Sequence, residues 1–358
     1  MAIYKLFPSK DTSIYSFYPT KNAGLDEILD ISLYDSINNT AEVSRALLAF
    51  PNSEIIDILS TKVGAANYKA YLKLYLATAS EIPLDYTLYC HPISGSWNMG
   101  TGRTANSPEV SDGASWKYRN YFSGSGFFVL NTEATSSYRT NIGGGTWYTG
   151  SNLVATQSFT YSTDKDIEID ITNAISSSYY QNGFILKHSS SLEFNTSSFF
   201  ETKYFSVDTH TIYPPCLEIR WNDFIYSTGS LSTVSTDNIV ITISNNKGVF
   251  QETSVNRFRV NVRDQYPSTA FRTTLSYANS KALPSSSYWS IKDLDTEEIV
   301  VDYDTSYTKL SCDGNGNYFD IYMNGLEPER YYKLLIKTII NNKEVIVSDK
   351  DYIFKVIR

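Results

Sequence analysis

The sequence predicts an all-β protein built from two antiparallel β-sandwiches, and three observations point there. Aromatic residues make up 15% of the 358 residues, led by 29 Tyr and 18 Phe against 3 Met, while charged residues reach only 19%. Such side chains suit pleated, half-buried surfaces better than charged, Leu-rich helices. Period-2 alternation of apolar and polar residues recurs along the chain, and clusters of Gly, Ser, Thr and Asn separate the alternating runs. With 42% hydrophobic residues the chain has the apolar surface to order one large domain and one smaller one.

In chain order, the first helix signal is Asn52–Ser60, where Asn52 or Ser53 would cap a short amphipathic segment ending before Gly64. In Tyr68–Leu76, Ala70, Leu72, Leu74 and Leu76 share one face and Lys69, Tyr71, Lys73 and Tyr75 the other. Asp166–Thr172 repeats the pattern, with Ile167, Ile169 and Ile171 opposite acidic residues. Strands with one wet face belong to antiparallel sheets, because parallel sheets are buried on both sides. Between residues 93 and 158 the chain is rich in Gly, Ser, Thr, Asn and Trp, which predicts long loops between short strands. Residues 1–225 are thus expected to form a jelly-roll-like antiparallel sandwich with long loops. The small polar segment 226–235 reads as a linker. Over 236–358, alternation at Ile239/Ile241/Ile243, Phe258/Val260/Val262 and Tyr352/Phe354/Val356 suits an Ig-like sandwich. Leu326-Glu-Pro-Glu-Arg-Tyr331 has the spacing of the tyrosine corner of fibronectin type III and Ig-like modules, which assigns Tyr331 a structural hydroxyl contact.

Composition removes several functions. The formal charge of −8 repels phosphate, so no nucleic-acid partner is expected. No apolar run approaches the roughly 20 residues of a membrane-spanning helix, and the first residues lack the pattern of an export signal. Cys90, Cys216 and Cys312 are too few and too dispersed for a disulfide framework or a thiolate zinc site, and read as buried small residues. Cys90 and His91 are adjacent on a strand and face opposite ways, which does not make a nucleophile and base. His188 and His210 stand alone, and no metal or other cofactor is expected. Asp313-Gly-Asn-Gly-Asn317 has oxygen ligands at alternate positions, but the calcium loop's final Glu is missing and a hairpin turn explains the Gly and Asn more simply. Gly143–Gly145 and Gly124–Gly126 lack the Lys and the following helix of a phosphate cradle. Asp302, Asp304 and Asp320 are the candidates for a glycan-cleaving carboxylate pair, a reading set aside because hairpin residues on a small sandwich seldom converge across a cleft. No enzymatic activity is expected. Trp97, Trp116 and Trp147, with Arg103 and Arg119 nearby, are the candidate interaction surface: either exposed aromatics for a sugar or a protein partner, or anchors that pin long loops to the sandwich.

Along the first 225 residues run the segments Asp11-Thr-Ser-Ile-Tyr15, Asn22-Ala-Gly24, Ile28-Leu-Asp-Ile31, Arg45-Ala-Leu-Leu-Ala-Phe50, Tyr68–Leu76, Ser96-Trp97, Ile169-Asp-Ile-Thr172, Asn182-Gly-Phe-Ile-Leu186 and Pro215-Cys-Leu-Glu-Ile-Arg220. Together they resemble the DNRLRE domain, a β-sandwich module of secreted bacterial proteins and phage particles. Residues 98–158 depart from the family pattern. The resemblance implies no catalytic residues and makes Arg45, its most distinctive charged position, a buried and paired structural residue. With the second sandwich and no export signal, it implies a virion protein of a tailed phage, marine ones especially, on head, neck or tail. Such a protein is made in the host cytoplasm, contacts other virion proteins and is present in several copies. The alternative is an adhesion module for a host glycan. The long loops of the larger domain are expected to carry the docking surface.

Overall fold

The computed structural model describes residues 2–35, 41–121, 128–130, 143–193, 195, 197–266 and 280–358. The chain is mostly β, 45% strand and 8% helix, with several antiparallel sheets consistent with β-sandwiches. It divides into two compact units, one of Leu6–Gly64 with Lys69–Glu218, the other of Met1–Lys5, Ala65–Tyr68 and Ile219–Arg358. This departs from a linear split around residues 226–235. The division falls inside the strand Cys216–Trp221, and the N-terminal residues belong with the C-terminal unit.

In the larger unit a six-stranded antiparallel sheet runs in the order Ala155–Phe159, Tyr86–Pro92, Phe184–His188, Ala41–Ala49, Lys10–Tyr15, with Leu33–Asp35 also paired to Ala41–Ala49. A three-stranded sheet joins Ile28–Asp30, Glu201–Phe205 and Leu76–Ser80. The alternation at 68–76 is realised in the strand Tyr68–Leu74, whose Ala70, Leu72 and Leu74 are fully buried, and Ile169 and Ile167 pair across from Leu72 and Leu74. A period-2 pattern thus becomes an apolar row. The Asn52 segment is an α-helix, Asn52–Asp57, continued by a π-helical turn, Ile58–Val63, that ends at Gly64 with φ +58°. Its N-cap is Pro51 with no side-chain cap; the Asn52 amide instead donates to the Gln181 carbonyl at 2.9 Å.

In the smaller unit one antiparallel sheet has the order Ile239–Ser244, Val255–Asp264, Gly316–Tyr322, Ser311–Asp313. The other runs Val249–Gln251, Ile353–Ile357, Tyr331–Ile340, Ser287–Asp293, Ile299–Val301, with Lys343–Val347 also on Tyr331–Ile340. Only Val249–Gln251 pairs in parallel among these, with Ile353–Ile357. Inward side chains from both sheets meet in one apolar cluster, in which Trp289 stacks on Phe319 at 5.3 Å and Phe319 on Phe258 at 5.5 Å. The Asp313 segment is a two-residue hairpin turn, and the Asp313 carboxylate is occupied by both outer nitrogens of Arg259 at 2.8 Å.

The structural hydroxyl contact belongs to the residue after the one the spacing implied. Tyr331 is 47% exposed, and it is the buried Tyr332 whose hydroxyl donates to the Glu327 carbonyl at 2.9 Å. Register decides the matter: Tyr332 lies opposite Asp293 and Phe354 on the core-facing row, which turns Tyr331 outward. Tyr332→Phe is expected to lower stability by about 1 kcal/mol, the net worth of one such hydrogen bond. Tyr331→Phe should change it by less than about 0.5 kcal/mol, as surface substitutions do. Urea denaturation of both variants checks this.

Candidate functional site

The most concentrated chemistry of the larger unit grows from one cross-strand row. Arg45 stands on Ala41–Ala49 opposite Ile14. Leu47 on that strand pairs with Ile185, so the next step along the same register brings Lys187 opposite Arg45. Lys187 in turn pairs with Tyr89, and Ile185 with His91. Ile14, Arg45, Lys187 and Tyr89 therefore share one face across four strands. Directly after Phe184–His188 the chain turns into the short helix Ser190–Glu193, which sets Glu193 over this row.

Arg45 and Glu193 are fully buried and joined at both ends of the fork, Nε to Oε1 at 3.0 Å and Nη2 to Oε2 at 2.9 Å. The Lys187 ammonium lies 3.1 Å from the same Oε2. The Arg45 guanidinium is 4.8 Å from the Trp116 ring and 5.2 Å from that of Trp147, and its Nη1 donates to the Gly144 carbonyl. This closeness explains the glycine run: a Cβ on Gly144 would stand 2.7 Å from the Arg45 Nη1, and one on Gly143 2.0 Å from the Trp116 carbonyl oxygen. Gly144 also has φ +94°, where a side chain is strained. Gly143–Gly145 is thus a backbone lid on a buried cation. Gly124–Gly126 lies outside the described residues.

Of the candidate residues Trp97, Arg103, Trp116, Arg119 and Trp147, the first two tryptophans are buried as loop anchors rather than exposed as a binding surface. Trp97 is 1% exposed and Trp116 0%, both in the apolar cluster with Leu47, Ile93 and Ile185. The Trp97 Nε1 donates to the Asn182 carbonyl at 2.9 Å, and the Lys10 ammonium sits 4.5 Å above its ring. Burial follows from the long loop folding back on the sheet, where it must supply its own anchors. Trp147 is half-buried beside Arg45. Arg119 is half-buried with its guanidinium packed against Gly95, and Arg103 stands apart on the surface 3.8 Å from Glu27. The structure joins Trp116 and Trp147 through Arg45 and leaves Arg103 out. Asp320 is held by the Arg257 fork at 2.8 Å, and Asp304 accepts the backbone N–H groups of Ser306 and Tyr307, so these carboxylates serve their own strand and turn.

At the solvent side of the row lies a cleft of about 320 Å³ lined by Tyr89, His91, Trp147, Lys187 and the Ser189–Ser191 turn. A second groove of about 480 Å³ shares Ser189 and Ser191 and extends to Thr87, Ser158 and Asn195. His91 is pushed down to about 4 by burial and then by the Lys187 charge, and His188 to about 4 by burial, so both imidazoles are neutral at pH 7. Burial pushes the Cys90 thiol up. Among the described residues no three of His, Cys, Asp and Glu converge as a metal set, and no helix is long and apolar enough to cross a membrane.

Lys187, Glu193 and Tyr89 are the residues that sequence reasoning missed, and His91 was weighed only as a partner of Cys90. One signal was available: a single Arg in the apolar run Arg45–Phe50 demands a buried anion, but nothing local says that Glu193, 148 residues away, supplies it. No family model matches the chain, and no curated protein matches it either.

Proposed function

We propose that this chain is a non-enzymatic structural component of a tailed-phage particle, present in several copies and working through protein–protein contacts. The observation that carries this reading is the outward face of the six-stranded sheet in the smaller unit. By register, Leu294, Tyr331, Ile299, Ile339 and Ile346 fall on that face from neighbouring strands. Ile299 and Ile346 are each 55% exposed. Lys292, Lys333, Lys337 and Lys355 are interleaved with them, and Lys337 lies 4.4 Å from the Tyr303 ring. Apolar and aromatic side chains gathered on one sheet face, with lysine stems between them, make a surface suited to a partner protein.

In this reading the larger unit is a DNRLRE-like, jelly-roll-like sandwich and the smaller one an Ig- or fibronectin-like sandwich, the latter supported by the Tyr332 hydroxyl bond to the Glu327 carbonyl, as in a tyrosine corner. The apolar face favours the smaller unit as the docking part, the reverse of the orientation read from the loops. In the larger unit the loop tryptophans Trp97 and Trp116 are spent on internal packing. Symmetric rings of a particle give such a face the same neighbour at each position.

Mass spectrometry of purified virions tests the reading, which requires the polypeptide in intact particles; its absence removes the proposal. Ile299→Glu combined with Ile346→Glu is expected to lower incorporation at least about tenfold while leaving the melting temperature within about 2 °C, because both side chains are surface-exposed. Quantitative mass spectrometry of particles assembled with the variant provides the comparison.

A further inference from the structure

We propose that the cleft at Trp147 and the groove continuing from it bind an oligosaccharide, an activity separate from the docking face of the smaller unit. The lining has the two kinds of group that sugar recognition needs. Tyr89 and His91 stack at 6.1 Å and Trp147 lies 5.5 Å from His91, which forms an aromatic wall for the C–H face of a pyranose ring. Along the groove the hydroxyls come in pairs, Ser189 with Ser191 at 3.2 Å and Thr87 with Ser158 at 3.0 Å. A hydroxyl offers one donor and two acceptor positions, so each pair keeps capacity for a polyhydroxylated ligand. At the inner end the Lys187 ammonium is held by Glu193 and lies 5.3 Å from the Trp147 ring.

The floor is stiff as well as polar. Tyr89, His91 and Lys187 stand on two paired central strands, and the Arg45–Glu193 fork fixes the turn that carries the serines. Little ordering remains to be done on binding, which favours weakly interacting ligands such as sugars. The cleft and the groove share Ser189 and Ser191, so they adjoin at that turn, and the trough they make together has room for more than one sugar unit. Ser and Thr hydroxyls alternate with Trp147, Phe159 and Leu192 along it, a mixed lining that suits a sugar better than a lipid or an apolar peptide.

The test is an array of cello-, chito-, malto-, alginate and hyaluronan hexasaccharides, with purified bacterial O-antigen and capsular polysaccharides, probed with the full chain. Retention on at least one of these probes is expected. Tyr89→Ala and Ser191→Trp, the second placing bulk at an exposed position within the trough, should each weaken binding at least tenfold at an unchanged melting temperature. Ile56→Ser, on the Asn52–Asp57 helix, should leave binding intact. If Tyr89→Ala fails to fold, Ser191→Trp decides alone. No retention of the wild-type chain on any probe overturns the proposal, as does binding that survives Ser191→Trp. Both results are independent of whether the chain is found in virions.

Discussion

Glu193→Gln is expected to destabilise the protein by about 3–5 kcal/mol, the cost of breaking a fully buried ion pair by removing one partner's charge. The shape of the side chain is kept, so the loss is electrostatic. Arg45 and Lys187 both lie against Glu193, and both are left beside a neutral amide in surroundings lined by Trp116 and Trp147. Typical domains have only about 5–15 kcal/mol in total, so urea denaturation should show a large fall in midpoint. The triple variant Arg45→Met, Lys187→Met and Glu193→Leu removes all three charges of the cluster at once and is expected to recover most of the loss, since apolar replacement of a buried ion cluster is often neutral. A Glu193→Gln protein within about 0.5 kcal/mol of the wild type would mean that the pair is solvated rather than buried.

Asp11→Asn is expected to stabilise the protein at pH 8 by up to about 4 kcal/mol and to have almost no effect at pH 4. Asp11 is 1% exposed, and its carboxyl is pushed up from 3.8 to about 7, first by burial and then, against the Val207 N–H that donates to it at 2.8 Å, by the nearby Asp208 charge. Between pH 3.8 and 7 the folded chain thus keeps a proton that the unfolded chain has released. Folded stability falls as pH rises through that window, by about 1.4 kcal/mol per unit at the steepest. The amide oxygen of Asn retains the bond from Val207 without the charge. His91 and His188 act in the opposite sense: their pKa values near 4 give stability that is present above 6.5 and lost as pH falls toward 4. Both proteins carry these histidines, so the difference between two urea-denaturation series from pH 4 to 8 isolates Asp11. A difference that does not grow with pH would contradict the assignment.

These two sites show where the sequence was readable and where it was not. The rows Ala70/Leu72/Leu74 and Ile167/Ile169 were legible because a strand's period is a local property, written in consecutive residues. The hairpin at Asp313–Gly316 was legible for the same reason, through its turn residues. Tyr331 and Tyr332 are neighbours, and only the pairing of Tyr332 with Asp293 and Phe354 tells which faces the core. The burial of Trp97 and Trp116 was foreshadowed by the need of a long loop for anchors, but their packing against Leu47 and Ile185 is a long-range event with no local mark. The Arg45 requirement for an anion was written in the sequence, but its partner was not. The association of Met1–Lys5 with residues 219–358 lies equally beyond local pattern.

The measurement that tests the central claim most directly is a cryo-electron microscopy map of the assembled particle. A structural virion protein predicts density for both units in several symmetry-related copies, with the Ile299 and Ile346 face pressed against a neighbouring subunit. A particle map that accounts for every subunit without this chain, or that leaves that face in solvent in every copy, would contradict it.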